Sequence, residues 1–259
     1  MTSQLKPGSF CWMELATSDQ AAAKKFYMDL FGWTAFDAPM GPGEFYSMFR
    51  LDGKDVGAGY TLRPDQRQMG VPPHWMLYIA CDDADASAKR AGELGGTVLA
   101  GPFDVMDVGR MAVVKDPTGP VFCLWQAKGD SGVKAYGVDN SFCWADLMTR
   151  DSARASEFYS QLFGWKRDKG EKDDSGYLHI KNGEDFIGGM PPAEHVPPGV
   201  TPHWQLYFQV ANCDEAVARA KVGGANVIMG PISMEDVGRF AVISDPQGAV
   251  FSLFQSARK

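Results

Sequence analysis

The chain has no run of Lys and Arg, no long apolar stretch and no paired set of cysteines, and each absence removes a class of function. Binding to a phosphate backbone needs basic residues gathered on one face. With a formal net charge of -7 and a pI near 5.1, and no basic run, nucleic acid is not expected as a partner. No apolar stretch approaches the ~20 residues that span a bilayer, and the opening Met1-Thr2-Ser3-Gln4-Leu5-Lys6-Pro7 lacks the basic and apolar regions of a secretory signal. Five cysteines, most of them inside apolar strand patterns, suit buried free thiols in a reducing cytoplasm better than a disulfide framework. Phosphate-binding loops, Gly-x-Ser-x-Gly elbows and His-Glu-x-x-His helices are also missing, which takes support from nucleotide transfer and serine hydrolysis. The chain reads as soluble and cytoplasmic.

What is present is one pattern written twice. Phe10-Cys11-Trp12-Met13-Glu14-Leu15 returns as Phe142-Cys143-Trp144-Ala145-Asp146-Leu147. Phe26-Tyr27 followed by Phe31-Gly32-Trp33 returns as Phe158-Tyr159 followed by Phe163-Gly164-Trp165. Pro73-His74-Trp75 matches Pro202-His203-Trp204, and Asp107-Val108-Gly109-Arg110 matches Asp236-Val237-Gly238-Arg239. Asp116-Pro117-Thr118-Gly119 recurs as Asp245-Pro246-Gln247-Gly248. Insertions are confined to loops, and Lys128–Gly132 has the composition of a linker. Two domains are therefore expected, over residues 1–130 and 136–259.

Within each copy the expected order is strand, helix and three strands, given twice. Residues 9–16 alternate as a strand, with Phe10, Trp12 and Glu14 on one face and Cys11, Met13 and Leu15 on the other. A helix capped near Ser18 or Asp19 presents Phe26, Tyr27, Leu30 and Phe31 at helical spacing and stops at Gly32. Arg63–Val71 reads as a linker into a second unit, with a strand at His74–Cys81 and a helix at Asp83–Leu94. The fold class expected is α+β, each helix packed on one sheet face.

An Asp-capped helix ending in Phe-Tyr…Phe-Gly-Trp, then Asp-Pro-x-Gly before a last strand, resembles the vicinal oxygen chelate superfamily (glyoxalase, bleomycin-resistance and extradiol dioxygenase proteins). The resemblance covers both copies. It implies paired βαβββ modules, each pair closing eight strands into a cupped sheet around a cavity. It also implies metal ligands on the first and last strands of each module in the enzymes, and metal-free sequestration in bleomycin-type members.

Counted from the family anchors, the ligand slots fall on Trp12, the Gly57–Gly59 stretch, Met76 and Cys123, and in the second copy on Trp144, Gly188-Gly189, Gln205 and Ser252. A divalent metal needs several hard or imidazole donors, and these residues do not supply them. The usual metal is therefore not expected. A displaced site remains as an alternative: Glu14 and His74 lie two residues from their slots on the same strand faces, with Asp146 and His203 as twins. They are candidates for an acid–base pair or for displaced metal ligands. The bland reading of His74 is a strand-start residue bonded to a loop carbonyl.

Trp12, Tyr46, Tyr60 and Met76 should line the first cup, together with Tyr78, Cys123 and Trp125. Trp144, Tyr177, Gln205 and Tyr207 should line the second. Such a lining suits a planar hydrophobic ligand, unless the aromatics simply fill the cup. Arg110 and Arg239 could meet an anionic group at the rim, although a tight hairpin, with Gly supplying positive φ and Asp capping it, explains their neighbours. The expected function is binding or transformation of a small hydrophobic or aromatic metabolite by a monomer or weak homodimer. The alternatives are a metal-dependent lyase or dioxygenase with displaced ligands, and a structural or regulatory protein with filled cups.

Overall fold

The computed structural model describes residues 5–169 and 175–257; the first four residues, on which part of the reading of the N-terminus rests, lie outside them. The order begins β1 (Phe10–Thr17), α1 (Gln20–Phe31), β2 (Thr34–Gly41), β3 (Glu44–Leu51) and β4 (Lys54–Thr61). After a short α2 (Pro64–Gln68) come β5 (His74–Ala80), α3 (Ala84–Glu93), β6 (Thr97–Val105), β7 (Gly109–Lys115) and β8 (Val121–Ala127). The second copy gives β9 (Phe142–Met148), α4 (Ser152–Phe163), β10 (Lys166–Asp168), β11 (Leu178–Asn182) and β12 (Asp185–Met190). It closes with β13 (His203–Gln209), α5 (Cys213–Val222), β14 (Asn226–Met234), β15 (Gly238–Ser244) and β16 (Val250–Ser256).

Two mixed eight-stranded sheets result, ordered β2-β3-β4-β1-β5-β8-β7-β6 and β10-β11-β12-β9-β13-β16-β15-β14. The α+β class and the repeated module order are as expected. Local chemistry sets the boundaries. The Asp19 side chain accepts the Ala22 N–H at 3.0 Å, and Gly32 ends α1 at φ 70, a left-handed conformation that costs glycine little. Asp151 and Gly164 repeat the pair around α4. The stretch expected to be pure linker contains α2, because Pro64 presets helical φ at a first turn and Gln66 accepts the Arg63 N–H at 3.0 Å. Among the described residues no helix is long and apolar enough to cross a membrane.

The chain packs into two compact units. The first comprises Met1–Trp12, Leu77–Gly132 and Ala145–Gln205, and the second Met13–Met76, Val133–Trp144 and Leu206–Lys259. In the second unit the Trp75 indole donates to Tyr27 Oη at 2.9 Å, and Tyr27 donates to Asp245 Oδ2 at 2.9 Å. Asp245 Oδ1 then accepts the Gln247 and Ala249 N–H groups. In the first unit Trp204 donates to Tyr159 at 3.1 Å and Tyr159 to Asp116 at 2.9 Å, while Asp116 holds its own turn through Thr118 and Gly119. Helix, strand and Asp-Pro-x-Gly turn are thus pinned by one buried phenol in each unit. Burial raises both carboxyls above the ordinary aspartate range, and the hydrogen bonds offset only part of that.

Phe10 leaves the expected alternation. It is buried, edge-on to Trp165 at 5.7 Å and to Trp204 at 5.5 Å, because aromatic packing at the strand start outweighs the face periodicity further along.

Candidate functional site

The candidate site residues Glu14 and Tyr46 lie on the sheet face opposite the helices. In β1 of the second unit Met13 and Leu15 are fully buried while Glu14 between them is half-exposed. Helix α1 reaches the other parity: Gln20 donates to the Ser47 hydroxyl at 2.8 Å and to the Gly59 carbonyl at 2.9 Å. Register places Ala58 beside Glu14, and Tyr46 beside Tyr60. On this face Tyr46 donates to Glu14 Oε2 at 2.7 Å, and Gln66 of α2 donates to Tyr60 Oη at 2.9 Å.

The first unit repeats the device. Tyr177 donates to Asp146 Oδ1 at 2.5 Å, and Gly189 is the residue beside Asp146. A Cβ on Gly189 would run into the Tyr177 ring. An aspartate one methylene shorter than Glu14 is reached by a tyrosine that crosses a glycine, where the longer glutamate tolerates an alanine. Carboxylate length and neighbour size change together. His179 stands edge-on to Tyr177, ring centres 5.0 Å apart.

The two histidines differ. His74 Nδ1 donates to the Pro72 carbonyl at 2.8 Å. An oxygen that can only accept forces the proton onto Nδ1, so the neutral ring keeps its Nε2 lone pair, and no described group bonds it. Burial pulls the His74 pKa below the ordinary imidazole value, with the Pro72 bond opposing in part. His203 likewise bonds Thr201 O at 2.9 Å, but its Nε2 lies 3.1 Å from the Gln205 carboxamide. An amide serves the neutral ring with its NH2 and the charged ring with its oxygen. Met76, the residue standing where the second copy has Gln205, can do neither. No hydrogen bond joins His74 to Glu14 or His203 to Asp146.

The remaining expected lining residues divide by exposure. Trp12, Met76, Trp144 and Tyr207 are half-exposed, whereas Tyr78, Cys123, Trp125 and Gln205 are buried. Tyr78 and Trp125 meet at 6.1 Å, and the Trp125 indole donates to Ser131 at 3.2 Å. Tyr207 rests against Phe240 and Phe254.

Arg110 forks onto Asp85 at 2.5 and 2.9 Å, and Arg239 onto Asp214 at 2.7 and 2.8 Å. Each guanidinium is thus tied to the first turn of α3 or α5 and draws its aspartate below the ordinary range. The hairpin differs in detail from expectation. Positive φ falls on Met106 (φ 44) in the first copy, and on Asp236 (φ 60) together with the expected glycine, Gly238 (φ 150), in the second. Gly109 is required instead because a Cβ there would overlap the Trp125 ring.

Do these residues suit a divalent metal? Of the fourth-strand glycine stretches, the residues beside the two carboxylates are Ala58 and Gly189, and neither carries a donor atom. Trp12, Met76 and Trp144 offer no hard donor. Among the described residues no group of three His, Cys, Asp or Glu side chains converges as a metal site would require. The donor set does not fit the group.

Sequence reading found the carboxylates and histidines but missed their partners. Tyr46 and Tyr177 were visible as aromatics on the right face, yet their bonds to Glu14 and Asp146 depend on cross-strand register. The Gln205–His203 contact had a signal, since i and i+2 share a strand face.

A family model described as Glyoxalase/Bleomycin resistance protein/Dioxygenase superfamily matches residues 9–124 and again 141–253. A Mycobacterium tuberculosis protein named "Putative glyoxylase CFP32" is 40% identical over 257 residues, covering 98% of this chain and 97% of that one. Anthracycline biosynthesis protein DnrV of Streptomyces peucetius is 35% identical over 267 residues, covering 98% and 95%. Among solved structures, the Mn(II)-bound glyoxalase of Novosphingobium aromaticivorans superposes with a TM-score of 0.66 at 15% identity, covering 96% of this chain and 82% of that one.

Proposed function

The chain belongs to the glyoxalase/bleomycin resistance protein/dioxygenase superfamily, and from that membership we propose that it binds and transforms a small hydrophobic or aromatic metabolite without the family's metal. We read the chain as two tandem domains divided near residue 130, acting in the cytoplasm as a monomer or weak homodimer. The observation that carries the reading is the tyrosine–carboxylate pair on the sheet face of each copy, at 2.7 Å in Glu14–Tyr46 and repeated in Asp146–Tyr177. Half-exposed aromatics on the same strands offer flat apolar area to a planar ligand. The name of the Streptomyces relative, for anthracycline biosynthesis, supports a planar aromatic class.

The first copy is the reactive one in this reading. Glu14, oriented by Tyr46, is an anion that can accept a proton from an enolisable or phenolic group. His74 Nε2 is a second acceptor on the same face, kept neutral by burial and therefore available as a base at neutral pH. The second copy binds without reacting, because Gln205 occupies the corresponding nitrogen.

The test combines two measurements on purified, untagged protein. Equilibration with a mixture of Ni²⁺, Zn²⁺, Fe²⁺ and Mn²⁺, then dialysis and elemental analysis, should leave far less than one metal per chain. A thermal-shift screen of aromatic metabolites should give ligands whose effect is lost in Glu14→Gln and Tyr46→Phe. One tightly held metal per chain, lost in His74→Ala, would overturn the metal-free reading and return the chain to lyase or ring-cleavage chemistry.

A further inference from the structure

A groove of about 720 Å³ runs between α1 and α5 in the second unit, on the helix side and away from the sheet-face carboxylates. Its floor includes Phe26 and Leu30, buried side chains of α1, and Val222 and Pro246 line it as well. Two polar groups beside it are unpartnered, one buried and one, Arg219, exposed. The Gln247 Oε1 is buried with no hydrogen-bond partner, a condition that normally costs free energy unless something fills it. Arg219 lines the same groove and makes no side-chain hydrogen bond or ion pair among the described residues.

The other copy shows why. There Arg90, the counterpart of Arg219, donates to Gln161 at 3.1 Å and to Glu93 at 3.4 Å. The corresponding positions here are Asp29, already taken by Lys25 at 2.6 Å, and Val222, which is apolar. Thr118, the counterpart of Gln247, bonds its own turn aspartate at 2.8 Å. Leu94 stands where this unit has Gly223, and a Cβ at Gly223 would come within 2.9 Å of the Phe26 ring. One seam satisfies its own polar groups. The other leaves a cation, a buried acceptor and an apolar floor together.

We propose that the α1–α5 groove is a second ligand site, for a small apolar acid bearing an N–H or O–H donor. Its carboxylate would meet the Arg219 guanidinium, its donor the Gln247 carbonyl oxygen once that side chain turns from its buried position toward the groove, and its flat body would lie on Phe26 and Leu30. A planar acid of this kind fits within the volumes usual for small-molecule sites, and a charge-assisted contact gives it orientation.

Calorimetric titration of the full chain with indole-3-acetate tests this, with 1-methylindole-3-acetate and indole-3-acetamide as controls lacking the donor and the charge. Saturable 1:1 binding is expected, weakened roughly tenfold or more in Arg219→Ala. Gln247→Thr, which installs the residue of the closed seam, should abolish the preference for the N–H compound over its N-methyl analogue. Binding should persist in Tyr46→Phe, which alters only the sheet-face site, so failure of that site leaves this one standing. Absence of saturable binding overturns the proposal. So does binding that Arg219→Ala leaves intact and Tyr46→Phe removes, since the probe then occupies the sheet face.

Discussion

The two copies agree where they pack and differ where they could react. On the helix side Trp75–Tyr27–Asp245 and Trp204–Tyr159–Asp116 match residue for residue, with all four bonds between 2.9 and 3.1 Å. On the other sheet face Glu14 becomes Asp146, Ala58 becomes Gly189 and Met76 becomes Gln205. A buried phenol serving both a donor and an acceptor has no substitute that keeps both satisfied. A half-exposed face has no such constraint, so it is free to vary between the copies. The copies therefore differ in their chemistry while keeping one scaffold, as expected where function resides in sites carried by a fold.

The largest effects should come from breaking the part that matches. Tyr27→Phe leaves the Trp75 N–H and one Asp245 oxygen buried without a partner, at about 1–3 kcal/mol for each orphaned group. Tyr159→Phe does the same to Trp204 and Asp116. Chemical denaturation should give nearly equal losses for the two variants. A loss in one and not the other would end the claim that the pins are equivalent.

A smaller effect should sharpen the part that differs. Gly189→Ala forces the Tyr177 ring off Asp146, an overpacking cost of about 1–3 kcal/mol. Glu14→Asp alone should lose the Tyr46 bond, because the shorter side chain cannot reach past Ala58. Glu14→Asp with Ala58→Gly should restore it in part, a coupling that a double-mutant cycle measures directly. Strict additivity would mean that carboxylate length and neighbour size are unrelated.

Most of the scaffold was legible because it is written in local and repeated signals. Asp19 and Gly32 mark a helix by capping chemistry alone, and seeing Asp151 and Gly164 at the matching positions removes the ambiguity. The Phe-Tyr…Phe-Gly-Trp motif read only as packing, since the bond from Tyr27 to Asp245 spans 218 positions and nothing local announces it. The site was half legible. Strand parity placed Glu14, Tyr46 and His74 on one face, but which of them touch is decided by register, and register between β1, β3 and β4 is a tertiary property. The reading of Arg110 as a rim residue did not anticipate Asp85, because that partner lies on a helix 25 positions away.

The smallest effect tests the histidines, where the copies differ by one side chain. Burial holds the folded His74 pKa below the ordinary value of 6.5, so the unfolded chain takes up this proton first as pH falls. Stability from His74 is fully present above 6.5 and declines as pH drops from there toward the lowered folded value. Met76→Gln offers the protonated ring an acceptor that methionine cannot, so it should raise the folded pKa and flatten that decline. Imidazole proton shifts followed by NMR between pH 5 and 8, beside denaturation at both ends of that range, read this change. If Met76→Gln leaves the His74 titration where it was, the amide is not what separates the copies. The reactive role given to the first copy would then rest on Glu14 alone.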